Sequence, residues 1–388
     1  MDNLKNIFKN NIRQYAMGIA LVSIMVLFQI LTKGILLKPL NVTNLILQNS
    51  YILVLAIGMF LCILTGNIDL SVGSVAAFVG AISAILAIRM KVPVIPTIVL
   101  SLLVGAIIGA WQGYWIAYVR IPAFIVTLAG MLIFRGLTLV ILRGQTIAPF
   151  PASYQIISSG FIRDFFGNGN LHITTIVIGI IISILYVMSE INKRKNTLKY
   201  NFEVLSSNLF AAKLLLIIVI INVFTYWLAS YKGIPTVLIL LAILILIYTF
   251  IANKTVPGRH IYAFGGNEKA AKLSGVKTNK VLFWVYVNMS ILAALAGIVF
   301  AGRLNAATPK AGVNFELDAI AACYIGGASA SGGIGTVFGC IIGGLIMGVL
   351  NNGMSILGIS IDWQQAIKGL VLLLAVAFDV YTKNKARR

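Results

Sequence analysis

The sequence has few charged residues, and acidic residues are the scarcest of them. Only 10% of its 388 residues are charged, whereas 60% are hydrophobic, and the mean hydropathy is +0.98. So few polar residues cannot cover the surface of a soluble globule of this length. The composition therefore predicts an integral membrane protein.

The basic residues outnumber the acidic ones by thirty to ten, which gives a formal net charge of +20. Such an excess can indicate nucleic-acid binding, but here Lys and Arg occur in short clusters between apolar runs. We therefore expect no nucleic-acid partner. The clusters instead indicate topology, because cytoplasmic loops are rich in Lys and Arg. They favour both termini in the cytoplasm.

Residues suited to catalysis or metal binding are also scarce. The cysteines, Cys62, Cys323 and Cys340, lie in apolar runs without metal-ligand spacing, so we interpret them as packing residues. His172 and His260 are isolated in sequence, and each is expected in a loop or at a helix end. The chain has no G-x-x-x-x-G-K-[ST] phosphate-binding loop, so any ATP must be hydrolysed by another chain. Neither an enzyme nor a cofactor is predicted.

Long apolar runs fill most of the chain. A helix needs about 20 apolar residues to cross roughly 30 Å of hydrocarbon. The runs predict an all-α, polytopic membrane protein with about 10–12 transmembrane helices in one domain, residues 1–388. The twelve candidate spans are 16–37, 45–64, 71–89, 94–118, 122–142, 172–190, 213–230, 235–252, 281–301, 317–329, 335–357 and 363–381.

Two Gly-rich segments interrupt this pattern, one in each half of the chain. They read FLCILTGNIDLSVGS at 60–74 and CYIGGASASGGIGT at 323–336. Backbone freed inside a membrane must be covered by protein or line water, and such paired breaks are typical of transporters. We predict broken helices at both places, with close packing of small residues as the alternative at the second. The candidate substrate-pathway residues are Asn67, Asp69, Ser71, Gly73, Gly326, Gly327, Ser329 and Ser331.

Asp69 is an ionisable residue in a predicted membrane segment, where a charge costs about 3 kcal/mol. Two roles are compatible with that position. Asp69 or Asn67 could cap the helix that follows, or the carboxylate of Asp69 could contact substrate.

Four other charged residues lie in or beside predicted spans. Arg135 lies well inside a span and is expected to have a partner. Lys368 lies near enough to a helix end to extend to the membrane surface. Glu316 and Asp318 stand at the start of the tenth span, where acids complement the helix dipole.

The longest informative polar segment, 255–280, is predicted on the cytoplasmic side. Within it, residues 267–273 predict a short helix between glycines Gly265, Gly266 and Gly275. Such a helix could dock a partner protein or lie on lipid headgroups.

Four segments together resemble the membrane permease subunits of ABC-type monosaccharide importers, particularly the xylose and multiple-sugar branch. The resemblance extends over most of the chain. The segments are GNIDLSVGS at 66–74, IPAFIVTLAGMLIFRG at 121–136, GGNEKAAKLSGV at 265–276 and FELDAIAACYIGGASASGGIGT at 315–336.

The resemblance implies an ATP-driven, binding-protein-dependent sugar importer of the bacterial cell membrane. It implies a permease homodimer in lipid, a cytoplasmic ATP-binding subunit and an extracytoplasmic sugar-binding protein. Residues 191–253 would be a two-helix insertion, and residues 255–280 the loop that couples to the ATPase. The implied coupling residues are Gly266, Asn267, Glu268, Ala270, Ala271, Leu273, Ser274 and Gly275.

An ion-coupled secondary transporter is the principal alternative, with Asp69 and Arg135 binding or relaying the ion. The scarcity of acids within the spans counts against it, because proton relays use ionisable groups along the path. The sequence leaves ribose, xylose, galactose and arabinose open as substrates.

Overall fold

The computed structural model describes residues 2–167, 169, 171–200 and 204–387, and within these ranges the regular structure is entirely helical. The prediction of an all-α polytopic fold is confirmed. The helices are α1 (Asp2–Leu31), α2 (Pro39–Leu64), α3 (Val72–Ala84, continued by a π-helical turn Ile85–Arg89), α4 (Val94–Ala117), α5 (Ala123–Leu142), α6 (Ala152–Ser159), α7 (Ile173–Lys199), α8 (Ser207–Ala229), α9 (Thr236–Lys254), α10 (Val256–Gly266), α11 (Glu268–Leu273), α12 (Thr278–Leu304), α13 (Phe315–Ile325), α14 (Val337–Ile356) and α15 (Ile361–Arg387).

Among the described residues, nine helices are long and apolar enough to cross a membrane. They are α2, α3 with its π-helical turn, α4, α5, α7, α8, α9, α12 and α14. The first and last candidate spans also fall on helices, α1 and α15. The tenth candidate, 317–329, falls on α13, whose 11 residues are about 16 Å long and too short to cross.

Helix α12 lies at the centre of the fold and packs against α2, α3 and α4. Its residues Met289, Ala293 and Ala296 are fully buried. Small side chains let helices approach closely, and close packing rather than hydrophobic burial holds helices together in lipid. The two helices that flank the first break are therefore covered by protein, as the backbone freed at a break requires.

Helices α7 and α8 form a hairpin at the edge of the fold, where α7 packs mainly on α8. Polar contacts join them: Lys213 pairs with Glu190, and Asn222 Nδ2 donates to Ser183 Oγ at 2.9 Å. The predicted insertion, 191–253, overlaps this hairpin and includes residues 201–203, which lie outside the described residues. It stays a prediction.

His172 lies at a helix end, as the sequence predicts, whereas His260 lies in the middle of a short helix. His172 is the N-cap of α7 and accepts a hydrogen bond from the Thr175 backbone N–H at 3.3 Å. His260 lies in α10, one of the short helices of the predicted coupling loop.

Candidate functional site

Helices α2 and α13 run side by side in the same direction. The ring of Tyr51, at the midpoint of the 26-residue helix α2, lies 4.3 Å from the ring of Phe315. Further along, Cys323 Sγ donates to Ala56 O at 3.3 Å. Helix α13 therefore begins level with the middle of α2 and continues toward the C-terminal end of α2. The first turn of α13 lies at mid-depth in the bundle.

The first break begins where α2 ends. The N–H groups of Gly66 and Asn67 donate to Ile63 O at 2.9 Å and Cys62 O at 3.2 Å, with Gly66 at a φ of +72°. This pair of bonds is a Schellman motif, which satisfies the last carbonyls of a helix. Helix α3 starts beside the first turn of α13, because Gly73 contacts Glu316. Residues 65–71 therefore return from the end of α2 toward its middle.

Asp69 orders the turn that leads into α3. Its Oδ1 accepts from the Ser71 N–H at 2.8 Å and from Ser71 Oγ at 2.6 Å. Among the described residues, no side chain caps the N–H groups of α3, and Asn67 Nδ2 donates to Thr65. The prediction that Asp69 or Asn67 caps this helix is therefore wrong. The reason is geometric: the carboxylate reaches Ser71 before the first free N–H groups of the helix.

A polar chain extends from Asp69 into the neighbouring helix α4. Gln112 Nε2 donates to Ser71 Oγ at 2.9 Å, and both Asp69 and Gln112 are fully buried. The other carboxylate oxygen, Asp69 Oδ2, is buried without a hydrogen-bond partner among the described residues. A buried acceptor without a partner is costly, so this oxygen is placed to accept from a ligand or water.

Two more unpartnered polar atoms lie near the same place. Glu316, in the first turn of α13, is 6% exposed, and its Oε2 has no partner within the described part of the chain. Arg135 Nη2, in α5, is likewise buried and unpartnered. The charges of Arg135 and Asp69 both act on Glu316. Asp69, Arg135 and Glu316 thus hold two buried acceptors and one buried donor without hydrogen-bond partners among the described residues, and we call these three residues the polar cluster.

This arrangement changes the interpretation of the four charged residues. Arg135 has Glu316 as an electrostatic neighbour, although the two form no ion pair in the described structure. Lys368 does not extend to the surface as predicted, because its Nζ lies 3.0 and 3.3 Å from the carboxylate oxygens of Asp318. That ion pair joins α15 to α13. For Glu316, the sequence predicted only a favourable interaction with the helix dipole. It gave no indication that one carboxylate oxygen is buried without a partner.

The second break is a turn between α13 and α14 that is largely satisfied by its own atoms. Ser329 N donates to Ile334 O at 2.9 Å, and the hydroxyls of Ser329 and Ser331 lie 2.9 Å apart. Gly326 packs directly on the backbone of Gly339, and Gly327 has a φ of +78°. The turn and the close packing are therefore both present.

The two breaks meet each other and the predicted coupling loop. The Gly333 N–H donates to Leu64 O at 2.9 Å, which ties the second break to the end of α2. From α10, Tyr262 donates its hydroxyl to Gly335 O at 2.9 Å. A Cβ added at Gly265 would lie only 1.6 Å from Leu64 O and 2.6 Å from Gly333 N. We call this contact between three segments the glycine junction (Gly66, Gly265, Gly332, Gly333).

The predicted short helix in the polar loop is confirmed as α11. Asn267 is its N-cap and accepts from Ala270 N at 3.0 Å, and Gly275 follows it with a φ of +86°. Ala271 is buried against the rest of the fold, whereas Leu273 is 90% exposed. Leu273 is therefore accessible to a partner protein or to lipid headgroups, the two alternatives that the sequence leaves open.

An exposed ion pair joins the side of α11 to the linker between α4 and α5. Arg120, in the linker between α4 and α5, lies 2.7 Å from Glu268 Oε1 and also contacts Asn279. The remaining implied coupling residues serve the helix itself: Ser274 Oγ donates to Ala270 O, and Gly266 ends α10.

Comparison with known proteins identifies the family. Residues 41–376 match a family model described as a branched-chain amino acid transport system / permease component. The chain belongs to this permease family. The permease is 40% identical over 375 residues to the xylose transport system permease protein of Haemophilus influenzae, covering 97% of this chain and 98% of that protein.

Two further relatives come from Escherichia coli. Its xylose transport system permease protein is 37% identical over 376 residues, covering 97% of the permease and 94% of that protein. Its ribose import permease protein is 35% identical over 341 residues, covering 87% and 85%. No solved structure matches the permease.

The permease brings the residues predicted at each break together, and the two groups adjoin at the glycine junction. Asn67, Asp69 and Ser71 lie in residues 65–71, which return from the end of α2, and Gly73 lies in the first turn of α3. The residues of the second break lie beyond the far end of α13, next to the glycine junction. Arg135 and Glu316, which are far from the first break in sequence, join the group at that break in the folded permease. For Glu316, the signal in the sequence was an acidic residue at the start of a predicted span, in FELDAI.

Proposed function

We propose that the permease is the membrane-spanning subunit of an ATP-driven, binding-protein-dependent importer of a monosaccharide, with xylose as the first candidate. The observation that carries this proposal is the nearly end-to-end match to two proteins named as xylose transport system permeases. Both are more similar to this chain, over more of its length, than the ribose import permease.

The energy source in this proposal is a separate cytoplasmic ATP-binding subunit. The chain has no phosphate-binding loop of its own. Helix α11, with Leu273 at its tip and the Arg120–Glu268 ion pair at its base, is the proposed docking element. The proposal places α11 and both termini in the cytoplasm of a bacterial cell, as the basic clusters favour.

The other partners are a second copy of the permease and an extracytoplasmic sugar-binding protein. The proposed pathway passes the polar cluster, where one unpartnered oxygen of Asp69, one of Glu316 and one unpartnered nitrogen of Arg135 match the hydroxyls of a sugar, which both donate and accept hydrogen bonds. The residues of the second break would line the pathway nearer the glycine junction.

The buried acids Asp69 and Glu316 are also what an ion-coupled transporter would use. Proteoliposomes separate the two mechanisms. Uptake of labelled xylose is measured with the permease alone, under a proton or sodium gradient, and then with the ATP-binding subunit, ATP and sugar-loaded binding protein. The proposal expects accumulation only in the second case, and competition by ribose, galactose or arabinose ranks the substrates.

A further inference from the structure

A cavity lies apart from the polar cluster, between α2, α9, α10 and α12. Its volume is about 580 Å³. The apolar residues Leu61, Ile251, Ile261 and Val285 line its inside, and the indole of Trp284, which is largely exposed, lies at its edge. Since these helices are membrane spans or adjoin them, the cavity borders the membrane.

The polar lining of this cavity is basic. Lys277 and Lys280 line it beside His260, and no acidic residue is among the described lining residues. Asn288 Nδ2 is buried there without a partner, while Asn288 Oδ1 accepts from the Tyr248 hydroxyl. The cavity therefore presents hydrogen-bond donors and positive charge next to an apolar wall.

We infer that this cavity binds an anionic phospholipid of the cytoplasmic leaflet. Its phosphate would lie at Lys277 and Lys280, and an acyl chain would follow the apolar wall past Trp284. Asn288, about 12 Å further along α12, would donate to an ester oxygen of the lipid. Basic pockets between spans on the cytoplasmic side bind anionic headgroups, and Trp belongs at the membrane interface. The inference rests on the proposed orientation, which puts the loop 255–280 in the cytoplasm.

A lipid in this cavity would touch the segment that carries the docking helix. Pro257, near the start of α10, and Gly275, just after α11, both line the cavity. The lipid would thus contact both ends of the segment that presents Leu273 and supplies Gly265 to the glycine junction. Lipid binding would therefore hold residues 257–275 in place against the rest of the permease.

The test is lipid binding to the purified, delipidated full-length permease, measured by native mass spectrometry and by the shift of the melting temperature. Phosphatidylglycerol, phosphatidylcholine and glycerol 3-phosphate are the three probes. Each Lys near an anionic surface strengthens binding several-fold, so K277Q/K280Q should weaken phosphatidylglycerol binding by about thirtyfold. The matched control is K195Q/K199Q, which removes two exposed lysines from the end of α7, outside the cavity.

Val281→Trp tests the apolar wall independently, because it fills the cavity and keeps both lysines. We expect it to lower phosphatidylglycerol binding and to remove the stabilisation by that lipid. Equal binding of phosphatidylglycerol and phosphatidylcholine, or unchanged binding by K277Q/K280Q, would overturn the inference. So would equally strong binding of glycerol 3-phosphate, which would indicate a site for a soluble phosphate. None of these results depends on transport, so failure here leaves the proposed function intact.

Discussion

Replacing Gly265 with alanine places a methyl group where the backbone of two other segments already lies. The added Cβ would be 1.6 Å from Leu64 O and 2.6 Å from Gly333 N, so the backbone must move. Overpacking of this kind costs about 1–3 kcal/mol, and loss of the Gly333 N–Leu64 O hydrogen bond costs about 1 kcal/mol more. Alanine favours a helix over glycine by about 1 kcal/mol, which offsets part of this destabilisation.

The lost hydrogen bond and the gain in helix propensity cancel, so the cost of overpacking remains. We therefore expect Gly265→Ala to lower the free energy of unfolding by about 1–3 kcal/mol. The neighbouring Gly266→Ala is the control for stability, since in the described structure no atom outside its own helix and chain neighbours lies within 4 Å of the added Cβ. It should melt at or above the temperature of the unmodified protein. Both variants are compared in the same detergent by thermal unfolding.

Transport is the second readout for Gly265→Ala. Because the glycine junction joins both breaks to the segment that carries α11, sugar uptake in complete proteoliposomes should fall more than ATP hydrolysis. Gly18→Ala, in open space on α1, is the control for uptake. A Gly265→Ala permease that melts and transports like the unmodified protein would refute the reasoning.

Three further changes test other parts of the structure. Asp69→Asn keeps an acceptor for Ser71, whereas Asp69→Ala loses two hydrogen bonds, so only the alanine variant should lose about 2 kcal/mol of stability. If the asparagine variant is stable but does not transport, the carboxylate itself serves the pathway. Leu273→Asp should abolish pull-down of the ATP-binding subunit without changing the melting temperature, since this side chain is exposed; retained pull-down would exclude it as the docking contact. Lys368→Met should destabilise the fold by about 3–5 kcal/mol by leaving Asp318 buried and unpaired, and D318N/K368M should recover part of that loss. Equal melting temperatures for the single and double variants would contradict this pairing.

The parts of the structure that the sequence predicts are the local ones. The Gly-rich break after Leu64 and the short helix after Asn267 both follow from glycine and capping chemistry within a few residues. The parallel course of α2 and α13 could not be predicted, because it depends on contacts such as Ala56 with Cys323, far apart in the chain.

The same limit applies to the charged residues. Asp318 and Lys368 are 50 positions apart, and nothing in either local sequence indicates the pair. Glu316 looked like an ordinary first-turn acid, and only the tertiary structure shows its buried, unpartnered oxygen beside Gly73. Sequence reasoning therefore located the first break but identified only part of the polar cluster.

The central claim is that the permease imports a monosaccharide only together with an ATP-binding subunit and a sugar-binding protein. The most direct measurement is accumulation of labelled xylose against its gradient in proteoliposomes, with each component omitted in turn. We predict accumulation and ATP hydrolysis with all components and ATP, and no accumulation when any is missing. Accumulation by the permease alone, driven by a proton or sodium gradient, would contradict the account.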